Sequence, residues 1–132
     1  MKKFQKRVLK TVDNTASALL LGNGFGNLES ISDIFDSVFV VDMQEPEIKR
    51  KNIIFREDRS RLETLGPITC VFVDLKRLNL LEELIPLLVK VRPTVFIEGN
   101  EPLDRSQSTT LFQNGFRPLE QQGFFHTWKK IV

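Results

Sequence analysis

The chain has 132 residues, with 19 Lys plus Arg against 17 Asp plus Glu, 11 Phe, one Trp, one Cys, one His and no Tyr. That length admits one hydrophobic core and excludes a barrel of roughly 250 residues or a separate substrate domain. A lone Cys with a lone His excludes a disulfide and a Cys/His zinc site, and the absence of Tyr excludes chemistry that runs through a tyrosine acid or base, as in short-chain dehydrogenases.

Charge is distributed unevenly. Residues 1–12 carry Lys2, Lys3, Lys6, Arg7 and Lys10 with no acid, whereas the remaining chain holds 14 basic against 17 acidic side chains. Phe4, Val8 and Val12 recur at i, i+4 and i+8 with Leu9 beside Val8, so residues 1–15 read as a basic amphipathic helix that packs through its Phe and Val. The opposite face suits solvent, or an acidic or nucleic-acid partner. No apolar run reaches the roughly 18 residues of a membrane span, and the basic start is not followed by the apolar stretch of a signal peptide. With one cysteine, the chain reads as a cytoplasmic protein in a reducing compartment.

Ser17-Ala-Leu-Leu-Leu21 is a buried strand stopped by glycines, and Ser37-Val-Phe-Val-Val41 is a second, stopped by Asp42. Between them, residues 27–35 put Leu28, Ile31, Ile34 and Phe35 on one helical face. A third strand is expected over 52–55 and a fourth over 68–73, ended by Asp74. Leu80, Leu81, Leu84, Leu87, Leu88 and Val91 mark a helix over 78–91, which Pro86 kinks or restarts. A fifth strand covers 93–97, a helix follows near 103–113 with Gly115 as its stop, and 116–121 with 124–131 read as an antiparallel hairpin.

Strands alternating with helices imply a parallel sheet with right-handed crossovers. The expected architecture is therefore α/β: one Rossmann-like, doubly wound, mainly parallel sheet in three layers, residues 16–131 forming the core and the hairpin capping one edge. The link after Asp42 is barely long enough for a crossover helix and is expected to be a turn or loop.

In open α/β sheets ligands sit at the carboxyl ends of the strands. After the first strand comes Gly22-Asn23-Gly24-Phe25-Gly26, where side-chain-free positions let the backbone approach a ligand. Asp42 follows 20 residues after Gly22, the spacing at which a carboxylate reaches ribose hydroxyls. Glu57 and Asp58 follow the third strand, Asp74 ends the fourth, and Glu98 with Asn100 follows the fifth, so acids and amides line one rim. Lys49, Arg50 and Lys51, together with Arg56, Arg59 and Arg61, read either as a solvated basic run or as cations near the same rim that would attract a phosphate-bearing substrate. The lack of interleaved aromatics argues against single-stranded nucleic-acid binding there. His126 reads as an ordinary strand residue and Cys70 as a small core residue.

On these residues the chain resembles the class I S-adenosylmethionine-dependent methyltransferases. The resemblance covers about residues 16–131, including the closing hairpin, and the GxGxG spacing of Gly22, Gly24 and Gly26 matches the family's first motif. A dinucleotide fingerprint would instead need glycine at Asn27. The resemblance implies S-adenosylmethionine as cofactor. Gly22, Asn23, Gly24, Phe25 and Gly26 would lie along its methionine part, Asp42 on the ribose and Met43 beside the adenine. Asp58, with Glu57 next to it, would accept from the adenine amino group, and Asp74 would face the substrate as the candidate catalytic residue.

There are departures from the pattern. The family usually has an acid two positions before the first glycine, where this chain has Leu20. After Asp74 comes Leu-Lys-Arg rather than Asn-Pro-Pro-aromatic, which disfavours adenine or glutamine methylation. The resemblance implies no metal, since methyl transfer from a sulfonium needs chiefly a positioned nucleophile and a dry site. Active members usually enclose substrate with extra segments, a cover that a second copy of this chain would supply. Two other readings remain open: a non-catalytic interaction subunit with the same fold, suggested by Leu20 and the short length, and a nicotinamide-nucleotide-binding domain, suggested by Asp42.

Overall fold

The structure, a computed structural model, describes residues 2–12, 14–21, 27–41, 45–56, 68–74, 94–98, 103–122 and 125–130. In chain order the elements are α1 (Lys3–Thr11), β1 (Ser17–Leu21), α2 (Leu28–Ile34), β2 (Ser37–Val41), β3 (Ile53–Arg56), β4 (Cys70–Asp74), β5 (Thr94–Glu98), α3 (Arg105–Gln113), β6 (Phe116–Gln122) and β7 (Phe125–Lys130). The helix expected over 78–91 lies outside the described residues.

The seven strands form one sheet in the order β3-β2-β1-β4-β5-β7-β6. The first five are mutually parallel, β7 runs antiparallel to β5, and β6 runs antiparallel to β7, so the closing hairpin extends the sheet beyond β5. From β1 the order grows one way to β2 and β3 and the other way to β4 and β5. The direction therefore reverses between β1 and β4.

Alternate residues of these strands point to opposite faces, and each face has its own core. On one, Ala18, Leu20, Val38, Val40, Cys70, Phe72 and Phe96 pack against Val8 and Val12 of α1 and Leu28 and Ile31 of α2, with Phe35 just beyond. On the other, Leu19, Leu21, Phe39, Val41, Val71, Val73, Val95, Ile97 and Trp128 pack against Leu111 of α3. With both faces covered, β1 is buried at every position, which is why it reads as a continuous apolar run.

Phe72 centres the first face. It stacks on Phe96 with ring centroids 5.1 Å apart, meets Phe35 edge-on at 6.2 Å and lies 6.0 Å from Phe4 of α1. Such pairs contribute about 0.5–1.5 kcal/mol each beyond the area they bury. The apolar stripe expected of the N-terminal helix is thus part of the core, Val8 being fully buried.

Local chemistry sets the element ends. At α3, Asp104 accepts from the Gln107 backbone N–H at 2.8 Å and the Gln107 side chain accepts in return from Asp104 N–H at 2.9 Å, a reciprocal cap. The helix stops at Gly115, whose φ of 88° is open to glycine without a Cβ clash. Pro118 lies in β6, the last strand of the sheet, next to a register shift between Pro118 and Glu120. An edge strand tolerates the missing N–H and the bulge blunts that edge.

The link into β3 is a loop, as its length implies: residues 45–52 contain only a bend and a turn. Its basic residues correct one expectation. Lys49, Arg50 and Lys51 precede β3 and therefore stand at the amino edge of the parallel strands, opposite the carboxyl edge that Arg56 reaches. There Arg50 bonds Ser32 Oγ at 2.8 Å and Glu29 at 2.9 Å and also pairs with Asp33, while Lys49 pairs with Glu45 at 2.8 Å. The hydrogen bond that Arg50 donates to Asp33, reinforced by the charge of both acids, raises the Arg50 pKa above its ordinary value. Register and connection direction decide this placement, and neither is visible in composition.

Candidate functional site

The parallel register fixes where each of the first five strands ends. Leu21 is the partner of both Val41 and Val73, Val41 of Arg56, Val73 of Ile97, and Asp74 of Glu98. Arg56, Val41, Leu21, Val73 and Ile97 consequently form one row at the ends of β3, β2, β1, β4 and β5, with Asp74 and Glu98 extending one residue beyond it. At about 4.8 Å between neighbouring strands that row is roughly 19 Å long. The point where strand order reverses, between β1 and β4, falls inside it.

Among the candidate site residues, Asp74 is described: it ends β4, is half-buried, and stands opposite Glu98 in the register. Gly22, Asn23, Gly24, Phe25, Gly26, Asp42, Met43, Glu57 and Asp58 lie outside the described residues. Their flanking positions are described. The described residues on either side of them are Leu21 and Asn27, Val41 and Glu45, and Arg56 and Ile68; Leu21, Val41 and Arg56 belong to the row. Asn27 accepts the first backbone bond of α2, from Ile31 N–H at 2.9 Å.

Leu20 is fully buried on the α1/α2 face with Val40 and Phe72. Its side chain belongs to the core, so no carboxylate stands at the position where the resembling family usually has one. Cys70 is likewise buried at the start of β4, and burial pushes its thiol pKa well above the ordinary value. A neutral, enclosed thiol is a packing group and a poor nucleophile. His126 belongs to β7 and pairs in register with Ile97. Among the described residues no group of three or more His, Cys, Asp and Glu could hold a metal ion, and no described helix is long and apolar enough to cross a membrane.

The first turn of α1 is tied to α2, a feature that the sequence pattern did not disclose. Lys2 Nζ donates to Ser30 Oγ at 3.2 Å, and Gln5 Nε2 donates to the Ser30 carbonyl at 3.0 Å. Ser30 lies in the first turn of α2, which follows the carboxyl end of β1. Periodicity marked α1 as a helix but gave no sign of which end of the sheet it starts from.

No family model matches the sequence, and no curated protein matches it. Solved structures do match the fold over almost the whole chain. The N-methyltransferase NodS from Bradyrhizobium japonicum WM9 superposes with a TM-score of 0.66 at 10% identity, covering 98% of this chain and 96% of that one. An rRNA methylase from Streptococcus thermophilus gives 0.63 at 14% identity, covering 98% and 95%. TrmK of M. capricolum, solved with its natural cofactor product S-adenosyl-homocysteine, gives 0.58 at 10% identity, covering 98% of this chain and 67% of that one. The chain therefore has the class I methyltransferase fold: an α/β sandwich around a mainly parallel sheet with an antiparallel C-terminal pair.

Proposed function

We propose that this protein binds S-adenosylmethionine and its demethylated product along the carboxyl row of the sheet, and uses the bound sulfonium to methylate an acceptor presented beside Asp74. The observation that carries this reading is the register. Leu21, Val41 and Arg56 end neighbouring strands in one row, with Asp74 one residue beyond it, and the residues that follow them in sequence are the glycine-rich stretch and the acids suited to a nucleoside. The reversal of strand order within that row and the S-adenosyl-homocysteine bound by TrmK, a structural neighbour, support it further.

In this reading the backbone of Gly22 to Gly26 accommodates the methionine part, Asp42 accepts the two ribose hydroxyls, Met43 packs on the adenine, and Glu57 and Asp58 accept from its amino group. S-adenosylmethionine held there would supply an electrophilic methyl group for transfer to the acceptor, with its sulfur leaving as the thioether of the demethylated product. Asp74 orients the acceptor and takes its proton where the acceptor has one to lose. With Leu20 in the core, the methionine ammonium is held by backbone carbonyls and water.

Calorimetric titration with S-adenosylmethionine, S-adenosylhomocysteine and NAD tests the proposal. The first two bind, and Asp42→Ala weakens both by about tenfold or more. Binding of NAD alone would replace this reading with a nicotinamide-nucleotide domain. Failure of all three to bind would favour a non-catalytic interaction subunit, the reading that the buried Leu20 supports.

A further inference from the structure

We propose that the outward face of α1 is a docking surface for the phosphate backbone of a nucleic acid. Lys3, Lys6 and Lys10 are all exposed. At 100° per residue they fall within about 60° of one another, on the side of the helix opposite the buried Val8 and Val12. At a 1.5 Å rise per residue the three span about 10 Å along the axis, a straight line of cations on a rigid support. Among the described residues the ion pairs join Lys49 to Glu45 and Arg50 to Glu29 and Asp33, and none involves these three lysines.

The placement of charge runs against what helix stability alone favours. The first turn of α1 has no acid, and lysines stand at its amino end, where the helix dipole is positive and repels them. A bound polyanion relieves that repulsion and gains from both the lysines and the dipole. The direction of the line is fixed at both ends. Ser30 holds the first turn beside the start of α2, and Thr94 Oγ1 donates to the Thr11 carbonyl at 3.4 Å, tying the last turn to the amino end of β5. The lysine line is thereby held at a fixed angle across α2 and the start of β5.

The partner class follows from what the face lacks. An anionic membrane held by an amphipathic helix requires a free apolar face for insertion, and that of α1 is consumed by the core. A protein partner requires an aromatic or aliphatic anchor, and among the described residues the exposed large hydrophobics Ile48, Ile54, Phe112 and Leu119 lie outside α1. What remains is charge alone in a regular line, which is what phosphodiester backbones recognise.

The docking does not depend on cofactor binding, and the test separates the two. Fluorescence anisotropy with a labelled single-stranded RNA and a labelled DNA duplex should show binding at low salt. For three neutralised phosphates on a single strand, log Kobs falls against log salt with a slope of about −2, a loss of roughly twentyfold between about 50 and 200 mM. The variant K3Q/K6Q/K10Q should lose at least about tenfold in affinity and bring the slope near zero, while its unfolding midpoint does not fall and its S-adenosylhomocysteine titration stays unchanged. The charge-matched control K49Q/K51Q/R105Q should bind as the parent does. Equal losses in both variants would mean net charge rather than this face, and would overturn the proposal. So would absence of nucleic-acid binding at low salt, or binding of poly-glutamate or anionic vesicles as tight as that of RNA.

Discussion

At the amino edge of the sheet, side chains close the structure with hydrogen bonds. The Thr69 hydroxyl donates to the Ser17 carbonyl at 2.8 Å, Thr94 N–H reaches the Thr69 carbonyl at 3.3 Å, and the Asn52 amide donates to the Ser32 and Phe35 carbonyls at 2.8 and 3.0 Å. The last two contacts satisfy the end of α2, where helix carbonyls otherwise lack partners. At the carboxyl edge the same strands finish in a row at Leu21, Val41 and Arg56, with Asp74 one residue beyond, and the chain departs into its glycine-rich and acidic stretches. The two edges of one sheet thus differ: hydrogen-bonded side chains close the edge where strands begin, and the proposed site lies at the edge where they end. Substitutions at the two edges should separate stability from ligand binding.

The largest effect should come from the core that both edges share. Phe72→Ala removes the ring that stacks on Phe96 and meets Phe35, and should lower unfolding free energy by about 3–5 kcal/mol in urea titration while weakening ligand binding too. Asp42→Ala should leave the urea midpoint in place and weaken S-adenosylmethionine by about 10–100-fold, the worth of about 1.5–3 kcal/mol for hydrogen bonds to a charged group. Asn52→Ala should do the reverse. Two helix carbonyls lose their donor at a cost of about 1–2 kcal/mol in stability, with the titration unchanged. If Asn52→Ala weakened the ligand as much as Asp42→Ala, the separation between edges would fail.

Smaller effects sharpen the same contrast. The Cys70 pKa is raised in the folded state by burial, so its contribution to stability is complete below the ordinary thiol pKa and is lost as pH climbs above that value, where the unfolded chain ionises first. Stability measured across the alkaline range should therefore decline less for Cys70→Ala than for the parent. Thiol reagents at neutral pH should label the native protein only as fast as it opens. At the bottom of the scale, Lys49→Ala breaks an exposed pair with Glu45 and should change stability by less than about 0.5 kcal/mol.

Much of the fold was legible because its strands are buried on both faces and its helices on one. Runs such as Ser17–Leu21 and Ser37–Val41 carry their own boundaries, and Asp104 and Gly115 punctuate α3 chemically. Smaller shifts have local causes. β3 begins at Ile53 rather than Asn52 because the Asn52 side chain is engaged with the end of α2. β4 begins at Cys70 rather than Ile68, and Thr69 spends its hydroxyl on Ser17. The site was legible only as a set of strand-following residues, since strand order and register bring their anchors together and pattern encodes neither. For the same reason Lys49, Arg50 and Lys51 were expected at the edge they do not occupy. The apolar period of α1 showed its buried side directly, and hence which lysines face out.

The most direct measurement is the amide spectrum of the labelled protein titrated with S-adenosylhomocysteine. Shifts should concentrate at Leu21, Asn27, Val41, Arg56 and Asp74, while Asn52, Thr69 and Thr94 stay still. Shifts confined to the second group, or none at saturating ligand, would contradict a nucleoside site on the carboxyl row.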